Sequence, residues 1–247
     1  MTQTILWFLF LAVPVHPWPA PATRVHLQIR VQGAVLLLES GDRLEVLGDT
    51  VRFQVRGDTL VVRLRHRQQS WLARWGWGLD TLVVRLPRAV PLALRVEQRG
   101  GLLVLRGRGL RLVSFTGRMH RTRTVLDLGG LQDRPRIHWI GTWSQLDLRP
   151  DSLTSPLYLE LQAEWSRIRL DLRPPPAQEV PVVLAAQFSW ILFQTHHAPV
   201  AVSRQGILNL GNLPQDPRSP SYRVLLSGNF NRIRWETTGH PQREVTP

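Results

Sequence analysis

Three indoles fall within seven residues at Trp71, Trp75 and Trp77, in a segment that also holds Arg74, Gly76 and Gly78. Indoles on a Gly-containing loop can form a stacking platform for sugars or an anchor at a membrane interface. A neighbouring guanidinium can engage hydroxyl or carboxylate groups. The ligand-binding set expected on these grounds is Trp71, Arg74, Trp75 and Trp77. The competing reading is a loop that folds its rings over an open end or flank of the fold, because an indole is costly to leave in water.

A second constellation comes from recurring Leu-Asp-Leu triplets at 126–128, 146–148 and 170–172. If those strands stack, Asp127, Asp147 and Asp171 form a column that either shares a hard cation such as Ca²⁺ or is neutralised by side chains. Arg149, Arg169 and Arg173 sit two residues from an Asp on the same outward face. An Asp–Arg ladder is therefore expected and no metal. His196-His197 is read as a loop or edge pair, since adjacent strand residues point to opposite faces. The chain has no Cys, which excludes disulfides, thiolate metal sites and Cys nucleophiles. No nucleophile elbow, Gly-rich phosphate loop or zinc helix motif is present. The expectation is no enzyme and no cofactor.

The elements that carry these residues are strands. From Arg24 onward apolar residues alternate with polar ones, as in Leu27, Ile29 and Val31, or Leu60, Val62 and Leu64. Short alternating runs bounded by Gly, Asp, Pro or Asn mark half-buried strands. Only Gln68 to Trp75 offers a window where a helix could form. The strands also repeat. Thr59 to Leu64 recurs letter for letter as Thr81 to Leu86, and degraded copies follow at Leu103, Leu126, Leu146 and Leu170. Successive copies are 22, 19, 23, 20 and 24 residues apart. Two copies share longer tails: Trp143-Ser144 precedes Leu146 to Pro150, and Trp165-Ser166 precedes Leu170 to Pro174. A second strand lies between copies, such as Leu92 to Val96 or Leu157 to Leu161.

A period near 20 with two strands per unit predicts an all-β fold, either a β-solenoid of stacked rungs or an antiparallel meander of hairpins. Loosely spaced steps favour the solenoid, because stacked rungs tolerate variable loops. In that reading Leu64, Leu86, Leu105, Leu128, Leu148 and Leu172 form one interior column. The run Leu82 to Pro87, then Pro91 to Val96, then Gly100 to Leu105 resembles the toast-rack, or adhesin-like, domains of bacterial envelope proteins. The resemblance covers roughly residues 50 to 175 and rests on a strand–Pro–strand–Gly cadence followed by Leu-Asp-Leu strands. It implies a stacked β-solenoid with a role in adhesion, envelope-stress sensing or scaffolding, and no catalytic residue.

Residues 24–236 are expected to form that solenoid, with 24–50 and 205–236 as further rungs and 237–247 as a polar tail. Val180 to Phe193 reads as two strands buried on both faces. Pro174 to Glu179 is a stiff interruption, and Gly211 to Ser221 a surface loop. At the N-terminus Ile5 to Val13 is apolar but too short to span a bilayer as a helix. Ala20 and Ala22 then fit the small-x-small rule of a secretory cleavage site, so residues 1–22 read as a signal peptide with Thr23 first in the mature chain. The other readings are an uncleaved anchor or a buried strand. No later segment is apolar enough to cross a membrane.

The formal charge is +13, and all 31 basic residues are Arg. Total absence of Lys points to a GC-rich genome, with a hot habitat as a further contributor, more than to a phosphate-binding surface. The basic balance leaves an anionic partner open: envelope polysaccharide, anionic lipid or an envelope protein. No specific nucleic-acid binding is expected. The functional expectation is a secreted or envelope-bound adhesin-like scaffold. A carbohydrate- or anionic-polymer-binding module is the alternative, and a polysaccharide-active enzyme the second alternative.

Overall fold

The structure is a computed structural model that describes residues 23–47, 51–56, 59–67, 81–150, 158–172, 179–196, 199–206 and 222–237. Every regular element among them is a strand, and no helix occurs. In chain order these are β1 (Arg24–Gly41), β2 (Glu45–Leu47), β3 (Val51–Arg56), β4 (Thr59–Arg67), β5 (Thr81–Pro87) and β6 (Leu92–Arg106). Next come β7 (Leu112–His120), β8 (Arg123–Asp127), β9 (Arg136–Thr142), β10 (Gln145–Arg149), β11 (Tyr158–Glu164) and β12 (Arg167–Leu172). The last are β13 (Val180–Gln187), β14 (Trp190–Thr195), β15 (Val200–Gln205), β16 (Tyr222–Ser227) and β17 (Arg232–Thr237).

Pairing is parallel almost throughout and runs in two ladders. The first ladder stacks β4, the first half of β1, the first half of β6, then β7, β9, β11, β13, β16 and β15. The second stacks β5, the second halves of β1 and β6, then β8, β10, β12, β14 and β17. Among the described residues, antiparallel pairs occur only where β2 joins β5 and β3 joins β4. From β4 to β14 the chain thus alternates between ladders, each passage through both adding one layer, whereas β15 and β16 both join the first ladder. This is an all-β, parallel, solenoid-like arrangement. The antiparallel meander does not occur among the described residues.

The period-two pattern does the burying. In β12 Ile168, Leu170 and Leu172 are fully buried, while Arg167 and Arg169 are exposed. One apolar cluster runs from Val25 to Ile233 and takes residues from both ladders. Trp139 is its largest side chain. It fits because position 141 is glycine, where a Cβ would lie 2.0 Å from the ring. Strands β13 and β14 form as the apolar run implies. They are not buried on both faces throughout, since Ala185 and Gln187 in β13 are exposed.

Two registers differ from the sequence expectation. The interior column is Leu38, Leu105, Leu126, Leu148, Leu170, Phe193 and Trp235. Leu128 and Leu172 lie two positions beyond it. Leu86 pairs with Ser40, and Leu64 pairs with Ile29 in the other ladder. The verbatim copies are likewise not successive layers. Thr59 to Leu64 lies beside the first half of β1, and Thr81 to Leu86 beside its second half. Equivalent strands can occupy opposite faces of one layer because both need the same alternation of apolar and polar residues.

Leu148 is fully buried at the centre of this column. Leu148→Ala removes transfer energy and leaves a cavity, so chemical denaturation is expected to show a loss of about 2–5 kcal/mol. Arg106→Ala, on the exposed face, is expected to stay within about 0.5 kcal/mol. Equal, small losses for both variants would contradict this core assignment.

Candidate functional site

The indole set Trp71, Arg74, Trp75 and Trp77 lies outside the described residues, as do the window from 68 to 75, residues 1–22 and the tail from 238 on. What the structure brings together instead is the corner where the chain leaves the first ladder for the second. In the seven layers whose corner is described, one residue there takes a left-handed backbone: Gly33, Gly100, Arg121, Trp143, Trp165, Phe188 and Phe230. Glycine accepts this freely, whereas an L-residue pays about 1–2 kcal/mol. Trp143, Trp165, Phe188 and Phe230 have φ of 54°, 51°, 49° and 59°.

Outside the corner those four rings form a column. Successive centroids are 5.2, 4.4 and 5.2 Å apart, with planes within 7° of parallel. Stacking contributes about 0.5–1.5 kcal/mol per pair beyond burial, which offsets part of the backbone strain. The rings are 44–56% exposed, so the column faces solvent. Its ring faces cover one another, leaving ring edges to present outward.

Inside the corner runs a buried polar column: Thr122, Ser144, Ser166, Ser189 and Asn231. The backbone N–H of Thr122 donates to Ser144 Oγ at 3.3 Å, that of Ser144 to Ser166 Oγ at 3.1 Å, and that of Ser166 to Ser189 Oγ at 3.2 Å. The N–H of Ser189 donates to Asn231 Oδ1 at 3.0 Å. The hydroxyls of Ser144, Ser166 and Ser189 donate to the carbonyls of Thr142, Glu164 and Gln187 at 2.8–2.9 Å. Before and after the turn the backbone pairs with itself again: Trp143 N–H donates to Glu164 O and Arg167 N–H to Ser144 O, both at 2.9 Å. Side-chain oxygens thus replace the carbonyl that cannot reach a buried donor at the bend.

Beside the aromatic column, one step into the second ladder, a row of outward residues runs Arg123, Gln145, Arg167, Trp190 and Arg232 in register. Arg167 lies 4.2 Å over the Trp190 ring. Arg121, Arg123, Gln145 and Arg167, with the rings, line a shallow groove of about 480 Å³. A second groove of about 540 Å³ precedes the corner and is lined in part by Arg30, Arg99, Arg118 and His120.

The Asp constellation does not stack acid on acid. Asp127 sits in register with Arg106 and Arg149, Asp147 with Val125 and Arg169, and Asp171 with Gln194. Asp147 is buried and accepts from Arg149 Nε at 3.2 Å and from the other end of the same guanidinium. The Asp147 hydrogen bond pushes the Arg149 guanidinium further up from its usual range, with charge attraction from Asp147, Asp127 and Asp171 adding to it. Asp171 faces His196 Nε2 at 2.6 Å. His197 lies outside the described residues. Among the described residues no group of three His, Asp or Glu side chains could hold a metal.

The repeat had one visible trace of this corner in the shared Trp143-Ser144 and Trp165-Ser166 tails. Phe188-Ser189, Phe230-Asn231 and Arg121-Thr122 are the same device with other letters. No protein-family model matches this chain, and no curated protein does. A solved structure from Clostridium sporogenes, described as a "putative cell adhesion protein", is similar at a TM-score of 0.45 and 10% identity, over 89% of this chain and 95% of that one.

Ser166→Ala deletes the acceptor for the Ser144 N–H in a buried setting. A loss of about 1–3 kcal/mol is expected, with Ser166→Thr recovering much of it. Asp147→Ala is expected to cost a similar amount, about 1–3 kcal/mol, by removing a charge-assisted bond. Added Ca²⁺ should leave the melting temperature of the parent chain unchanged. A Ca²⁺-dependent rise that vanishes in Asp147→Ala would overturn the ion-pair reading.

Proposed function

We propose that the two ladders close around their shared core as a β-solenoid, and that the chain is a non-enzymatic, exported, adhesin-like or scaffolding protein of a cell envelope. One observation carries the reading: the same corner recurs layer after layer, with hydrogen-bonded partners 22, 22 and 23 residues apart. Such a stack supports itself through contacts between neighbouring layers, and its sides are long, rigid surfaces for holding a partner. The described acids favour a structural role, because Asp147, Glu97, Glu160 and Glu179 are engaged by Arg149, by Arg30 and Arg95, by His138 and by Arg223. Arg223 holds the Glu179 carboxyl below its ordinary range, the direction opposite to that of a general acid.

Export rests on the apolar run Ile5 to Val13 followed by Ala20 and Ala22. Mass spectrometry of protein recovered from the envelope or medium is expected to find Thr23, or a close neighbour, as the first residue. Intact Met1 on protein confined to the cytoplasm would refute the reading.

A further inference from the structure

We propose that the flank of the aromatic corner is a binding track for a linear acidic polysaccharide, with Arg123, Arg167 and Arg232 as its anion contacts. The inference rests on the exported reading above and adds the class of partner and the residues that meet it.

The three guanidiniums stand on one face of one ladder. Arg123 and Arg167 are both in register with Gln145, and Arg167 and Arg232 are both in register with Trp190. A cation therefore recurs every second layer, about 10 Å apart given a strand spacing of about 4.8 Å. All three are exposed. None has an ion pair among the described residues; Arg167 instead lies over Trp190. The acids nearby do not neutralise the row. Asp147 is engaged by Arg149, and Asp171 faces His196. Glu164 is exposed on the far side of the ring column, immediately before Trp165. Charge on the flank is thus net positive, in a chain of formal charge +13.

The shape of the surface selects among anions. A row one side chain wide, running along the stacking axis, suits a linear polymer better than a bilayer plane. Bases of a single-stranded nucleic acid bind by stacking on aromatic faces, and here the interior ring faces already cover one another. A glycan needs no intercalation. Its sugars can lie along the ring edges, Gln145 can exchange hydrogen bonds with hydroxyls, and carboxylate or sulfate groups can meet the guanidinium forks. An extended glycan advances per sugar by a length comparable to one strand spacing. Charges on alternate sugars then fall opposite the Arg of alternate layers.

The test is titration of the mature chain with hyaluronan, which carries one carboxylate per disaccharide, and with neutral dextran. Binding to hyaluronan but not dextran is expected, weakening as salt rises. The Arg123→Gln/Arg167→Gln variant is expected to lose at least tenfold in affinity with an unchanged circular dichroism spectrum. Arg24→Gln/Arg63→Gln, which removes the same charge from the other ladder, is expected to bind as the parent does. Equal losses in both variants, no loss in either, no binding to hyaluronan, or binding confined to single-stranded DNA or anionic vesicles would each overturn the proposal. An enveloped chain that ignores hyaluronan sinks the track and leaves the exported reading standing; a chain confined to the cytoplasm sinks that reading.

Discussion

A buried backbone N–H at a sharp corner must find an acceptor, and the rest of this structure follows from how it does. Parallel ladders satisfy their donors along straight strands, but at the bend the next layer's carbonyl is out of reach. The oxygen of Ser144, Ser166, Ser189 or Asn231 takes its place, one layer along. Leaving such a donor unmade would cost about 1–3 kcal/mol per layer. Because the acceptor belongs to a fixed position in the repeat, the same bond also sets the register of both ladders that meet there.

The column outside the corner is the other half of the same solution. The turn demands a left-handed residue, and stacking of Trp143, Trp165, Phe188 and Phe230 recovers part of what that backbone costs. In the layers of β1 and β6, Gly33 and Gly100 make the turn without a side chain. There Gln98 takes up the buried polar role, its amide donating to Ala34 O at 2.9 Å. The exposed rings therefore have a structural origin. Any binding by this flank draws on the arginines beside the rings more than on their faces.

The strands were legible because alternation such as Ile168, Leu170 and Leu172 admits one burial pattern. The polar corner was half legible: Trp143-Ser144 and Trp165-Ser166 stood out as repeated tails, but a left-handed turn suggests Gly, so a Trp there gave no cue. Register was misread for a physical reason. Leu126-Asp127-Leu128 resembles Leu146-Asp147-Leu148, yet Leu128 lies past the end of β8, and its N–H donates to Arg149 O. Aligning like with like made the acids coincide; the corner bonds shift them apart and place Asp127 beside Arg149. The indoles at 71, 75 and 77 lie outside the described residues, and the corner from Trp143 to Arg232 is built from other residues.

The corner, and not strand similarity, fixes the register. Paired cysteine substitutions test it directly, because the chain has no Cys of its own. In-register neighbours on parallel strands stand about 4.8 Å apart, inside the range a disulfide spans. Under mild oxidation the Asp127→Cys/Arg149→Cys chain should close an intramolecular disulfide, seen as a mass loss of two hydrogens. The Asp127→Cys/Asp147→Cys chain, offset by two residues and beyond about 7 Å, should not. The reverse outcome, with the second pair closing and the first staying open, would contradict the account.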